Sequence, residues 1–273
     1  MPYWLDLARA AGDAGDVFAE GDLKRSETTT TVVRLAETDD FSLLDAAREA
    51  HGASAAETVL AVVARALASV TGRDRVLLTL EGHGREPIAG DHDLSRTIGW
   101  FTSTFPHLVE VEQGVADTLD AVRRSFERLP DKGAAFGPLL RFDGGLGSDR
   151  DALVAVRPRI CFNYLGSQDS TDGSDGVAVT HLTADITTDA DVRSPHALDI
   201  LASRSGRDLL VEVRYPRSWE SSGLAQRITS AVDRSFHEVR AALESGGPRG
   251  FQVSSPIRQD VLADILLDLA GGS

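Results

Sequence analysis

Cysteine occurs once in these 273 residues, at Cys161. A single thiol excludes an intramolecular disulfide and any multi-cysteine metal site. Lysine occurs only at Lys24 and Lys132, so nearly all positive charge is arginine, which reads as a coding bias toward GC-rich DNA more than as function. Cationic charge is scarce overall: the formal net charge is -14 and the pI is near 4.9. A general basic footprint for nucleic acid or for an anionic membrane is therefore not expected, although local basic patches stay open. No run approaches transmembrane length. The opening MPYWLDLARAAGDAGD lacks the basic head and long apolar centre of a secretory signal. Together these absences lead us to expect a soluble, cytoplasmic protein.

What is present is an ordinary globular balance, 42% hydrophobic and 26% charged, enough for one large domain or two small ones. Residues 12 to 31 are polar and rich in Gly, Asp and Thr, and read as a linker between an initial segment and the main body. TDDFSLLDAAREAHG reads as a helix, with Thr38, Asp39 or Asp40 as the cap and Gly52 as the left-handed stop. Ser54 and Glu57 form a capping box before Val59, Leu60, Val63, Leu67 and Val70, and Gly72 ends that helix. The strand RVLLTLE, Arg75 to Glu81, is apolar on both faces, as for a central strand covered by helices.

A helix over 115–128 carries Leu119, Val122 and Phe126 on one stripe. RICFNYL and VAVTHLTA read as strands, and HALDILAS with RDLLVEVRY as a hairpin turning near Ser205 and Gly206. An amphipathic helix from about Ser221 to Leu243 and a short apolar helix, DVLADILLDLAG, complete the pattern. Helices interleaved with strands argue for an α/β sandwich with a mixed sheet.

The chemistry concentrates in EGHGRE, 81–86. Glu81 sits where an apolar strand emerges, and Gly82 and Gly84 permit tight turns around His83. Desolvation there would raise the carboxyl pKa and make Glu81 a better proton acceptor. A polar turn with a Glu–Arg ion pair through Arg85 explains the same residues. His83 and His92 form no zinc spacing, there is no G-x-S-x-G elbow, and Gly-His-Gly lacks the ending of a phosphate loop. Cys161, inside an apolar strand, reads as an inert core thiol. RTIGWFTSTFP, 96–106, gathers Trp100, Phe101 and Phe105, for which aromatic packing suffices. FNYLGS, from Phe162, adds Asn163 and Tyr164 at another strand end, where local hydrogen bonding would account for them.

In order, EGHGRE, RTIGWFTSTFP, PDKGAAFG (130–137) and FNYLG (162–166) resemble the epimerization domains of nonribosomal peptide synthetases, members of the condensation-domain superfamily. RSPHALDI and the closing SSPIRQDVLADILLDL resemble late segments of that family. The resemblance implies the carboxy-terminal lobe of a two-lobed, chloramphenicol-acetyltransferase-like α/β sandwich, over 32–273, with 1–31 as a remnant of the lobe junction and a linker. It implies inversion of an aminoacyl or peptidyl thioester held on the phosphopantetheine arm of a peptidyl carrier protein, with no intrinsic cofactor and no metal. Glu81 matches the family's acid/base residue. Asn163 and Tyr164 match positions facing the same channel, where they would bind the thioester oxygen or orient the base, and His83, Arg85, Trp100 and Phe101 would shape that channel.

The family's HHxxxDG motif is absent from this sequence. HALD and DHDLSR lack its His pair, GAAFG replaces the usual Gly-rich pattern, and Ser167 stands where Gln is usual. A separate amino-terminal lobe or a homodimer partner would then complete the cleft. A repurposed stand-alone catalyst acting on a carrier-bound thioester is the alternative, as is a non-catalytic carrier or synthetase interaction module. For docking an acidic carrier, Arg123, Arg124 and Arg128 on one helix are the candidates, against the plainer reading of a solvated helical face.

Overall fold

The computed structural model describes residues 2–14, 18, 22–37, 41–86, 94, 96–141, 147–167 and 191–246. A small ribbon joins β1 (Leu23–Lys24) to β6 (Arg193–Ser194). The frame is a six-stranded mixed sheet. In chain order its strands are β2 (Thr28–Leu35), β3 (Arg75–Gly82), β4 (Ser103–Glu110), β5 (Ile160–Ser167), β7 (Leu198–Ser205) and β8 (Asp208–Pro216). They lie in the order β2-β8-β7-β5-β3-β4. The two central pairings, β5 with β3 and β5 with β7, are parallel, and the outer three are antiparallel.

The longer helices are α1 (Pro2–Ala14), α2 (Leu43–His51), α3 (Ala55–Thr71), α4 (Val115–Glu127) and the late α8 (Leu224–Gly246). Between the last two come the short α5 (Phe136–Arg141), α6 (Ser148–Ala155) and α7 (Ser218–Ser221). Those covering one face of the sheet have ends written in local sequence. Helix α3 starts at a capping box, with Ser54 Oγ accepting from the Glu57 amide and Glu57 accepting from the Ser54 amide. It stops at Gly72 in the left-handed conformation. It is buried nearly all round from Thr58 to Leu67, because α8 packs along it. Helix α8 presents Ile228, Val232, Phe236 and Val239, spaced by three and four residues, to the core. Its buried Ser235 donates to the Val62 carbonyl at 2.8 Å, so a polar group in that seam is satisfied. Full burial of side chains such as Phe236 stabilises by about 1.5–3 kcal/mol each.

Four expectations change. Helix α2 is capped by Ser42, whose Oγ accepts from the Asp45 amide, while its stop at Gly52 is as expected. Thr38, Asp39 and Asp40 lie outside the described residues, as do VAVTHLTA and DVLADILLDLAG. The stretch read as a linker up to residue 31 contains the start of β2, since four consecutive threonines favour extended backbone. The initial segment, expected to be joined to the main body through a linker, packs into that body: Trp4 and Leu7 of α1 belong to the common core, with the Trp4 ring 4.8 Å from that of Phe136. Finally, β3 is covered by α3 on only one of its faces near its end. Val76, Leu78 and Leu80 are buried, whereas Glu81, on the alternate set, is exposed.

Candidate functional site at the open sheet face

Side chains on a strand alternate between faces, and here the alternation sorts apolar from polar. Leu80, Phe162, Ile200 and Val213 are register neighbours across β3, β5, β7 and β8, and all are buried in the core. One residue earlier on β3, β5 and β7, and one later on the antiparallel β8, Thr79, Cys161, Asp199 and Arg214 form the corresponding row on the opposite face. Two residues further on that same face come Glu81 and Asn163. Cys161, Asp199, Arg214, Glu81 and Asn163, together with His196, line a cavity of about 350 Å³.

Glu81 and Asn163 meet directly: Asn163 Nδ2 donates to Glu81 Oε2 at 2.6 Å. The bond fixes one carboxylate oxygen of Glu81. Because Glu81 is exposed, the desolvation expected from its place at the end of an apolar strand is not provided by the described part of this chain. Cys161 is not a core thiol but part of the cavity wall. Burial, then the carboxylates of Asp199 and Glu81, push its pKa up to about 12, so it is a protonated thiol at neutral pH and a poor nucleophile.

Tyr164 does not join them. It follows Asn163 on β5 and therefore turns to the helix-covered face, packed against the core beside Ala202 rather than along the cavity. Burial raises its phenol pKa, opposed by Arg204 and supported by Glu37, which are its charged neighbours on that side.

Of the four residues expected to shape a channel, His83, Arg85 and Phe101 build the neighbouring turn. His83 Nε2 lies 3.1 Å from Glu86 Oε1, and its Nδ1 accepts from the Arg85 amide at 3.1 Å. Arg85 stacks over the Phe101 ring at 4.4 Å and donates to the Leu94 carbonyl at 2.5 Å. Gly84, at φ +66°, must be glycine, since a Cβ would come within 1.6 Å of the Phe101 carbonyl oxygen. EGHGRE and RTIGWF thus dock on each other. PDKGAAFG joins them, because Gly133 lies flat on the Phe105 ring, where a Cβ would approach to 2.2 Å. Trp100 stands 91% exposed and Ile98 100%.

The basic helix is α4. Its Arg123 is paired with Glu127, whereas Arg124 and the following Arg128 are exposed. Sequence patterns alone do not single out Thr79, His196, Asp199 or Arg214. HALD draws attention only as a failed match to another motif. The alternating pattern of β7 is a usable signal for Asp199, but the approach of His196 to Thr79 is a tertiary event.

The condensation-domain family model matches residues 3–244. This chain belongs to the condensation-domain family. Among curated proteins it is 28% identical over 217 residues to surfactin synthase subunit 1 of Bacillus subtilis, covering 78% of this chain and 6% of that protein. It is also 27% identical over 244 residues to bacitracin synthase 3 of Bacillus licheniformis, covering 88% and 4%. The chain therefore spans a small part of those relatives. Among solved structures, the epimerization domain from the third module of tyrocidine synthetase B aligns with a TM-score of 0.67 at 23% identity, over 88% of this chain and 55% of that one. The first condensation domain of the calcium-dependent antibiotic synthetase aligns at 0.59 and 18%, over 89% and 53%. The α/β fold with mixed sheet and flanking helices is that of the family, as the interleaved helix and strand pattern predicted. Among the described residues no single helix is long and apolar enough to cross a membrane.

Proposed function

We propose that this condensation-family chain is the epimerizing lobe of a nonribosomal peptide synthetase system. It would invert the α-carbon of an aminoacyl or peptidyl thioester carried on the phosphopantetheine of a peptidyl carrier protein, in the cytoplasm. The observation that carries the reading is the 2.6 Å bond from Asn163 to Glu81 in an open polar cavity. The ordered motifs EGHGRE, RTIGWFTSTFP, PDKGAAFG and FNYLG support it.

In this reading the Glu81 carboxylate takes the α-proton. The C–H electron pair moves into an enolate whose charge rests on the thioester oxygen, and Asn163 keeps the carboxylate aimed. An acid on the opposite face, which the covering partner would supply, delivers a proton to the α-carbon as the enolate electron pair re-forms the C–H bond, and Glu81 releases the first proton to solvent, completing inversion. A base of this kind contributes about 10²–10⁴-fold, and stabilisation of the enolate must supply more. Glu81 is exposed, so a second surface has to exclude water. A separate lobe bearing HHxxxDG is the proposed cover, with a second copy of this chain as the alternative. Exposed Ile98 and Trp100 beside the EGHGRE turn favour a second reading, a docking module without chemistry.

The test loads a carrier protein with L-aminoacyl-phosphopantetheine in deuterated water and follows α-deuterium by mass spectrometry. The chain is added with and without a supplied HHxxxDG lobe. Exchange that falls by at least about 100-fold in Glu81→Gln is the expected result. If it occurs with the chain alone, one lobe suffices for proton abstraction; if only with the added lobe, the enzyme is split. Absence of exchange under both conditions overturns the epimerase reading in favour of the docking module.

A further inference from the structure

Three side chains in the cavity wall share no sequence motif. Cys161 and Asp199 are register partners on the parallel strands β5 and β7, so both project from the same face. His196 precedes β7 and folds back over them, its amide donating to Ser194 Oγ at 3.2 Å. One ligating atom from each, the Cys161 sulfur, an imidazole nitrogen and an Asp199 oxygen, all lie within 4.8 Å of one another.

The geometry points to a binding site for a zinc-class divalent cation, held by Cys161 Sγ, His196 Nδ1 and Asp199 Oδ1, with its remaining position open to the cavity. The spacing is the first argument. His196 Nδ1 and Asp199 Oδ1 stand 3.4 Å apart, long for a charge-assisted hydrogen bond. Zinc bonds of about 2.0–2.1 Å to nitrogen and oxygen at a tetrahedral angle separate two ligand atoms by roughly 3.3 Å.

The outer partners are the second argument. His196 Nε2 lies 2.9 Å from Thr79 Oγ1. With Nε2–H donating to that hydroxyl, the lone pair of Nδ1 is turned toward Asp199, the tautomer a metal ligand needs. Asp199 Oδ2 lies 3.7 Å from Arg214 Nη1, leaving Oδ1 for a monodentate bond. Charge is the third. Glu81 and Asp199 both act on Cys161, and Arg214 is the cation paired with Asp199, so a dication and a thiolate can be taken up together without excess positive charge. As the sulfur–metal bond forms, the Cys161 S–H proton leaves to solvent. The epimerization reading does not need this site, and the site does not depend on that reading.

Cobalt(II) titration of the purified chain tests it without an activity assay. Cys161 is the sole cysteine, so a near-ultraviolet thiolate-to-cobalt band can arise only from it. One equivalent of cobalt producing that band together with tetrahedral visible bands, both displaced by zinc, is the expected result. Cys161→Ser should abolish the ultraviolet band, and His196→Ala should weaken binding by more than about 100-fold, with Thr79→Val weakening it about 10-fold. Circular dichroism establishes that each variant is folded, and the wild-type spectrum decides even where one variant is not. No ultraviolet band at saturating cobalt, or uptake unchanged in folded His196→Ala, overturns the proposal.

Discussion

Adjacent residues of β5 have opposite occupations. Ile160 and Phe162 are sealed against the helices, at 2% and 3% exposure, while Cys161 and Asn163 line the cavity with Glu81. The chain separates fold from chemistry across a single sheet thickness, using only the two-residue alternation of a strand. On the apolar side, a lost side chain leaves a void in a packed interior. On the polar side, most losses meet solvent. The two faces should therefore answer mutation in different observables, stability on one and turnover on the other.

The largest separation is expected at Phe162. Phe162→Ala should lower unfolding free energy by about 3–5 kcal/mol, read as a shift of the urea midpoint. A loss under about 1 kcal/mol would break the comparison. Next comes His107, wholly buried on β4, whose Nε2 is 2.9 Å from Ser125 Oγ and whose pKa burial lowers from 6.5 to about 4. The folded protein holds this imidazole neutral while the unfolded chain protonates it near 6.5. Its contribution to stability is therefore full above pH 6.5 and is lost as the pH falls toward about 4, at most roughly 3 kcal/mol. Denaturant titrations across that window should show the slope, and His107→Phe should flatten it.

Smaller again is Asn163→Ala, next in sequence to Phe162. It should leave the unfolding free energy within about 1 kcal/mol while lowering Glu81-dependent deuterium exchange about 10-fold, the value of a hydrogen bond to a charged group. If it destabilises as Phe162→Ala does, the two faces are not independent. The smallest effect lies far from both, at Ser54→Ala, which removes the α3 cap for about 1 kcal/mol and should leave exchange untouched.

Legibility in the sequence follows the range of the interactions. Ser54, Glu57, Gly52 and Gly72 announce helix ends because capping is settled within four residues. The stripe Leu119, Val122, and the hairpin turning at Gly206, φ +60°, are equally local. β2 is hidden because Thr-rich polar sequence reads as linker until β8 pairs with it. For the site, Glu81 and Asn163 emerge through motif resemblance, and their contact spans 82 positions. Tyr164 emerges through the same resemblance, and the pleat turns it to the sheet face opposite Asn163. His83, Arg85 and Phe101 are recognisable as a group, but their mutual docking makes them a scaffold for the turn.

Sequence by itself determined the mixed α/β plan, the capped helix α3 and the location of a carboxylate at the end of β3. Each of these depends on neighbours a few residues away. Only the tertiary structure decided that Glu81 meets Asn163, that Tyr164 faces the core, and that Cys161, His196 and Asp199 converge. Those outcomes depend on strand order and register between segments far apart in the chain, which no local pattern of residues specifies.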